Sequence, residues 1–119
     1  MTALYFHIPF CRFMCHYCDF AKTANWNQDL VTDYFKSLNE NLLFWQKKSE
    51  WAPLEKPPES VFFGGGTPSL FTKDYESLFA KMDLPRDCEV SMEINPNDVT
   101  EESLKFWKSL GVNRVSLGV

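Results

Sequence analysis

Four short strand-like runs, each separated from the next by a stretch long enough for a helix, limit how this chain can fold. ALYFHI (3–8) is the first, and Pro9 ends it because proline has no backbone N–H to give a ladder. SVFF (60–63) runs straight into three glycines, CEVSMEIN (88–95) stops at Pro96, and VNRVSLGV (112–119) is the fourth. Between the first two, residues 28–48 place Val31, Tyr34, Phe35, Leu38, Leu42 and Trp45 at spacings of three and four, the pattern of an amphipathic helix. A proline-bearing loop, WAPLEKPPE (51–59), follows. A second helix is predicted from an N-cap at Thr72 to about Met82. Thr100 caps a third, whose first turn carries Glu101 and Glu102 at the positive end of the helix dipole, and Gly111 ends it. The order β-α-β-α-β-α-β, with crossovers of helical length, calls for parallel strands.

Strand parity separates a flat, doubly wound sheet from one that curls. Val90, Met92 and Ile94 share one face of the third strand, and Ser91, Glu93 and Asn95 share the other. In the first strand Leu4, Phe6 and Ile8 oppose Tyr5 and His7; in the fourth, Val115, Leu117 and Val119 oppose Arg114, Ser116 and Gly118. Strands covered by helices on both sides read apolar throughout, and these do not. The expected fold is therefore α/β: the N-terminal part of a parallel (β/α) partial TIM-type barrel, strand order 1-2-3-4. Its helices lie on one face and its polar residues line the other. The whole of 1–119 is read as one portion of a core domain. Four strands do not close a barrel, so the chain is expected to be a fragment of a longer protein.

Three of the four cysteines fall within eight positions, as C-x3-C-x2-C in HIPFCRFMCHYCDF (7–20). A disulfide framework spreads its cysteines along the chain, whereas a cluster of this kind binds metal or does redox chemistry in a reducing compartment. Thiolates of Cys11, Cys15 and Cys18 on one loop suit three irons of a cubane cluster and leave the fourth iron open for a ligand. The competing reading is a zinc knuckle with His16 or Cys88 as fourth ligand, but no second knuckle is present. Cys88, at the start of a strand, also reads as a small buried hydrophobe. The glycines at 64–66 let a ligand approach the backbone closely, although a plain βα turn has the same composition. They lack the lysine of a phosphate-binding loop. Glu93 stands near the C-terminal end of its strand on the polar face, where a carboxylate binds a ligand or pairs with Arg114. His7 shares the face of Tyr5, either near the metal or in a structural hydrogen bond.

The net charge of −4 and pI near 5.1 give no footprint for nucleic acid. No apolar run approaches the roughly 20 residues of a membrane span, and strand residues begin too early for a signal peptide. A cytoplasmic location is expected.

The pattern Y-x-H-I-P-F-C-x3-C-x2-C-D-F, with FFGGGTPS, EINPNDVT and VNRVSLGV in order behind it, resembles the oxygen-independent coproporphyrinogen III oxidase family of radical S-adenosylmethionine (SAM) proteins. The matches cover essentially the whole chain. The resemblance implies a 4Fe–4S cluster on Cys11, Cys15 and Cys18, reductive cleavage of SAM there, and a 5′-deoxyadenosyl radical that takes a hydrogen from substrate. It implies SAM contacts from Tyr5, Tyr17, Gly65, Gly66, Thr67 and Glu93, although either tyrosine ring also suits packing. The implied partners are SAM, a porphyrinogen or haem, and an electron donor such as flavodoxin or ferredoxin, with haem bound in the full-length protein. Two activities follow from the resemblance: a radical SAM oxidoreductase of porphyrin biosynthesis, or a HemW-type haem chaperone without oxidase activity. True oxidases carry a further cysteine two residues after the third ligand. Phe20 stands there in this chain, which favours the HemW-type branch. A zinc- or cluster-binding module without turnover is the reading from a different class.

Overall fold

The computed structural model of this chain describes residues 3–11, 26–46, 58–82 and 84–117. Strands β1 (Ala3–Ile8), β2 (Ser60–Gly65), β3 (Glu89–Ile94) and β4 (Arg114–Leu117) alternate with helices α1 (Gln28–Gln46), α2 (Tyr75–Met82) and α3 (Glu101–Leu110). All three strand pairings are parallel and the order across the sheet is β1-β2-β3-β4, as the crossover lengths demand.

The register puts Phe6, Phe63, Met92 and Val115 in one row across the sheet, with Leu4, Val61 and Val90 in a row on the same face. All three helices pack on that face. Val31, Phe35 and Leu42 of α1, Tyr75, Leu78, Phe79 and Met82 of α2, and Trp107 of α3 join Phe6, Ile8, Phe63, Met92 and Ile94 in a single core. The rings interlock: Tyr75 meets Phe63, Phe35 and Trp107 edge to face, with centroids 5.5, 4.9 and 5.2 Å apart. Each fully buried side chain of this size contributes about 1.5–3 kcal/mol. The odd-numbered face of β1 and its counterparts carry Tyr5, His7, Ser91, Glu93, Arg114 and Ser116, with no helix over them among the described residues. Helices on one face and strands in chain order are the arrangement expected of a barrel segment, not of a doubly wound sheet.

Local signals account for the helix ends. The Asn27 side chain accepts from the Leu30 N–H to open α1. Thr100 and Ser103 form a reciprocal capping box at α3, and Gly111 ends it in the left-handed region at φ 117°. Several boundaries differ from the sequence reading. α2 begins at Tyr75, after a turn in which the Tyr75 N–H meets the Thr72 carbonyl, so Thr72 starts the turn and not the helix. β2 extends through Gly64 and Gly65, because its pairing with His7 and Ile8 continues past Phe63. Two 3-10 turns, Pro68–Leu70 and Pro96–Asp98, follow β2 and β3. β4 covers 114–117 and is exposed throughout; Val115 and Leu117 point to the helix side without being covered.

Candidate functional site

The C-terminal ends of β1 and β2 stay joined beyond the strands themselves. The Gly66 N–H donates to the Ile8 carbonyl and the Thr67 N–H to the Phe10 carbonyl, both at 2.7 Å. Pro9 breaks the strand without breaking this contact, so the chain delivers Cys11 directly to the glycine turn. A Cβ on Gly66 would lie 2.8 Å from the Cys11 Sγ and 2.6 Å from the Phe10 carbonyl oxygen. Gly65 sits at φ 116°, and a Cβ there would meet the Ile8 oxygen and the His7 ring. These two positions need glycine, one for space and one for both space and backbone angle. The Trp26 indole N–H donates to the Cys11 carbonyl at 2.8 Å, tying the residue that precedes the cysteine loop's interior to the one that follows it.

One row further along the sheet, His7 pairs with Gly64 and Glu93 pairs with Ser116. Gly64 leaves a space that its neighbours fill. A Cβ built there would be 2.6 Å from a Glu93 carboxylate oxygen and 3.0 Å from the Tyr5 hydroxyl. The phenol and the carboxylate therefore converge above one glycine. The Tyr5 hydroxyl lies 3.1 Å from the His7 Nδ1, and its ring stacks on Phe62. Burial, and then the negative charge of Glu93, raise the Tyr5 pKa above its ordinary value, so the hydroxyl stays protonated as a donor near neutral pH. Behind them, the Tyr34 hydroxyl of α1 donates to the His7 backbone carbonyl. A small cleft of about 50 Å³ opens between Gly66, Thr67 and Pro68 on one side and Glu93, Ile94 and Asn95 on the other.

Tyr5, Gly65, Gly66, Thr67, Glu93 and Cys11 thus gather at one edge of the sheet. Cys15, Cys18 and Tyr17, with His16 and Phe20, lie outside the described residues. Arg114, the alternative partner weighed for Glu93, pairs instead with Glu89 at 2.7 Å. Cys88 precedes β3 at the opposite edge, and burial pushes its thiol pKa up. With strands rising about 3.3 Å per residue, roughly 20 Å separates the two edges, too far for Cys88 to complete a zinc knuckle with Cys11. A larger groove of about 650 Å³, lined by Leu84, Leu104, Trp107 and Val115 among others, lies on the helix side and touches none of the six gathered residues. Sequence reasoning marked Gly64 only as part of the glycine run, without its place beneath Tyr5 and Glu93, and missed Trp26. The first was legible from register, since it falls between His7 and Glu93; nothing in the spacing marked the second.

Among the described residues, one of the three cysteines a cluster would need, Cys11, stands beside groups that suit SAM. A thiol packed on bare backbone, glycines that a Cβ would block, and a carboxylate beside a neutral phenol supply a metal ligand, close backbone approach and a cation acceptor.

The profile of the Radical SAM superfamily matches residues 5–119, and this chain belongs to that family. Among its relatives, the heme chaperone HemW of Synechocystis sp. is 38% identical over 99% of this chain and 30% of that protein. The heme chaperone HemW of Bacillus subtilis is 36% identical over 100% of the chain and 32% of its own length. The oxygen-independent coproporphyrinogen III oxidase of Bradyrhizobium diazoefficiens is 33% identical over 99% of the chain and 27% of its length. The solved structure of coproporphyrinogen III oxidase (HemN) from Escherichia coli, a radical SAM enzyme, superposes with a TM-score of 0.78 at 27% identity. That match covers 99% of this chain and 27% of that one. The chain spans about 30% of the length of the relatives it matches first.

Proposed function

We propose that this chain holds a 4Fe–4S cluster through Cys11, Cys15 and Cys18 and makes SAM contacts through Tyr5, Tyr17, Gly65, Gly66, Thr67 and Glu93. The protein it belongs to works on a porphyrinogen or haem and takes electrons from a donor of the flavodoxin or ferredoxin kind. The observation that carries this reading is the contact between Cys11 and Gly66, one strand away from the Tyr5–Glu93 pair. A ligand spanning metal and carboxylate would touch both. When bound, the cluster supplies the electron that cleaves SAM. The chain's own residues bind and aim. Glycine backbone lies along the ligand, Glu93 accepts from a cationic or hydroxyl group, and Tyr5 donates from a protonated phenol.

Anaerobic reconstitution tests this. About four irons per chain are expected, lost on changing Cys11, Cys15 or Cys18 to Ala and kept in Cys88→Ala. Iron binding that survives the triple substitution would end the assignment.

Phe20, and the heme chaperones among the relatives, favour a haem-handling role without porphyrinogen oxidation. Haem titration together with assay of 5′-deoxyadenosine in the intact protein separates the two. Stoichiometric haem binding without porphyrinogen turnover supports the chaperone, and turnover of coproporphyrinogen supports the oxidase.

A further inference from the structure

The two lips of the cleft stand on different strands, and the ladder between those strands stops short of them. Paired residues of β2 and β3 end at Phe63 and Met92, whereas β1 and β2 remain paired to Ile8 and Gly65. Past Phe63 and Met92 the cleft separates Gly66–Pro68 from Glu93–Asn95. Something other than the ladder must set its width.

Ser69 bridges it. Its buried hydroxyl accepts from the Asn95 N–H at 3.1 Å and donates to the Asp98 Oδ2 at 2.9 Å, using both of its capacities across the gap. Each end is anchored in turn. On the β2 side, the Tyr75 hydroxyl, fully buried in the core, donates to the Pro68 carbonyl at 2.7 Å. On the β3 side, the Asp98 N–H donates to the Asn95 carbonyl, and the Ser103 hydroxyl from the α3 cap donates to the Asp98 carbonyl. The Asn95 side chain accepts from the Asn97 N–H within the same turn.

We propose that Ser69 and Asp98 are positioning residues, a hydrogen-bonded brace that fixes Thr67 relative to Glu93 and so sets the affinity for SAM. The inference rests on the SAM reading above. Neither side chain lines the cleft. They act through the two 3-10 turns that follow β2 and β3.

The test uses the intact protein with its cluster reconstituted, and measures SAM dissociation constants and iron content side by side. Ser69→Ala and Asp98→Ala are expected to weaken SAM about tenfold with iron per chain unchanged. Asp98→Asn keeps an acceptor oxygen and is expected to bind within about twofold of the unaltered protein. In the cluster-free protein, exchange of the Asn95 amide with solvent is expected to accelerate in Ser69→Ala. Unchanged SAM affinity in both alanine variants overturns the brace. So does loss of iron in parallel with SAM, or an asparagine variant as weak as the alanine one. A cluster-loaded unaltered protein that fails to bind SAM overturns the underlying SAM reading as well, which distinguishes the two failures.

Discussion

The two faces of the sheet differ by a single residue of register and by almost everything else. Phe63 is fully buried among Phe6, Tyr75 and Phe79, while Gly64, its neighbour in the chain, lies under a carboxylate and a phenol. On the covered face, filling space is the requirement and side chains are large. On the open face, beside the stacked rings of Tyr5 and Phe62, the requirement at the site is leaving space, and the key position has no side chain at all. Stability and function are therefore written on alternate residues of the same strands, and substitutions on the two faces should fail in different assays.

The largest expected effect is on the covered face. Phe63→Ala should destabilise the fold by about 3–5 kcal/mol, read from denaturant midpoints. A smaller loss than Glu93→Ala produces in the same assay would break the comparison. On the open face, Glu93→Ala should leave the midpoint close to that of the unaltered protein but weaken SAM binding by about 1.5–3 kcal/mol, the range for a charge-assisted hydrogen bond. Glu89→Ala, on the same face but at the far edge and paired with Arg114, should change SAM binding much less. Equal effects at 89 and 93 would remove Glu93 from the site.

The smallest effect separates two tyrosines. Burial is the first cause of the raised pKa of both, but Glu93 is the second cause for Tyr5, whereas Asp74 and Tyr34 follow burial for Tyr75. Glu93→Gln should move the Tyr5 titration down, because a neighbouring negative charge no longer opposes phenolate formation, and should leave Tyr75 unmoved. NMR of carbon-labelled tyrosine rings checks this. The sign for stability follows from Tyr75. Its folded pKa is raised, so its contribution is complete below the ordinary tyrosine value near 10 and is lost as pH rises beyond it. Tyr75→Phe should flatten that alkaline loss while removing one buried hydrogen bond, a cost of about 1 kcal/mol.

Strand order, strand faces and the edge of the sheet where Cys11, Gly66 and Glu93 meet were legible in the sequence because each rests on periodicity or on a strong local breaker. Alternation of Val90, Ser91, Met92 and Glu93 has only one reading once one face is apolar. The brace was not legible. Pro68–Leu70 and Pro96–Asp98 are single turns of three residues, too short to show a period. In retrospect their markers are a proline at the first position of each, and Asn95 as cap of the second. Ser69 and Asp98 are 29 positions apart, and nothing but the fold says that they meet. The start of α2 was misplaced because Thr72 has the composition of a cap and the geometry of a turn.

The bonds from Gly66 to Ile8 and from Thr67 to Phe10 also have a consequence in time. Cys11 acquires its glycine floor only when β1 has found β2, and the first pair of that ladder joins Ala3 to Ser60 across the entire first crossover. Closing so long a loop is slow compared with forming α1, which is local. During synthesis the cysteine loop therefore emerges well before the surface that will receive it. On the proposed cluster reading, metal captured in that interval meets thiols the fold does not yet hold, while metal delivered afterwards meets Cys11 already set against Gly66. On that proposed reading, the order of folding and loading bears directly on which ion the thiols end up holding.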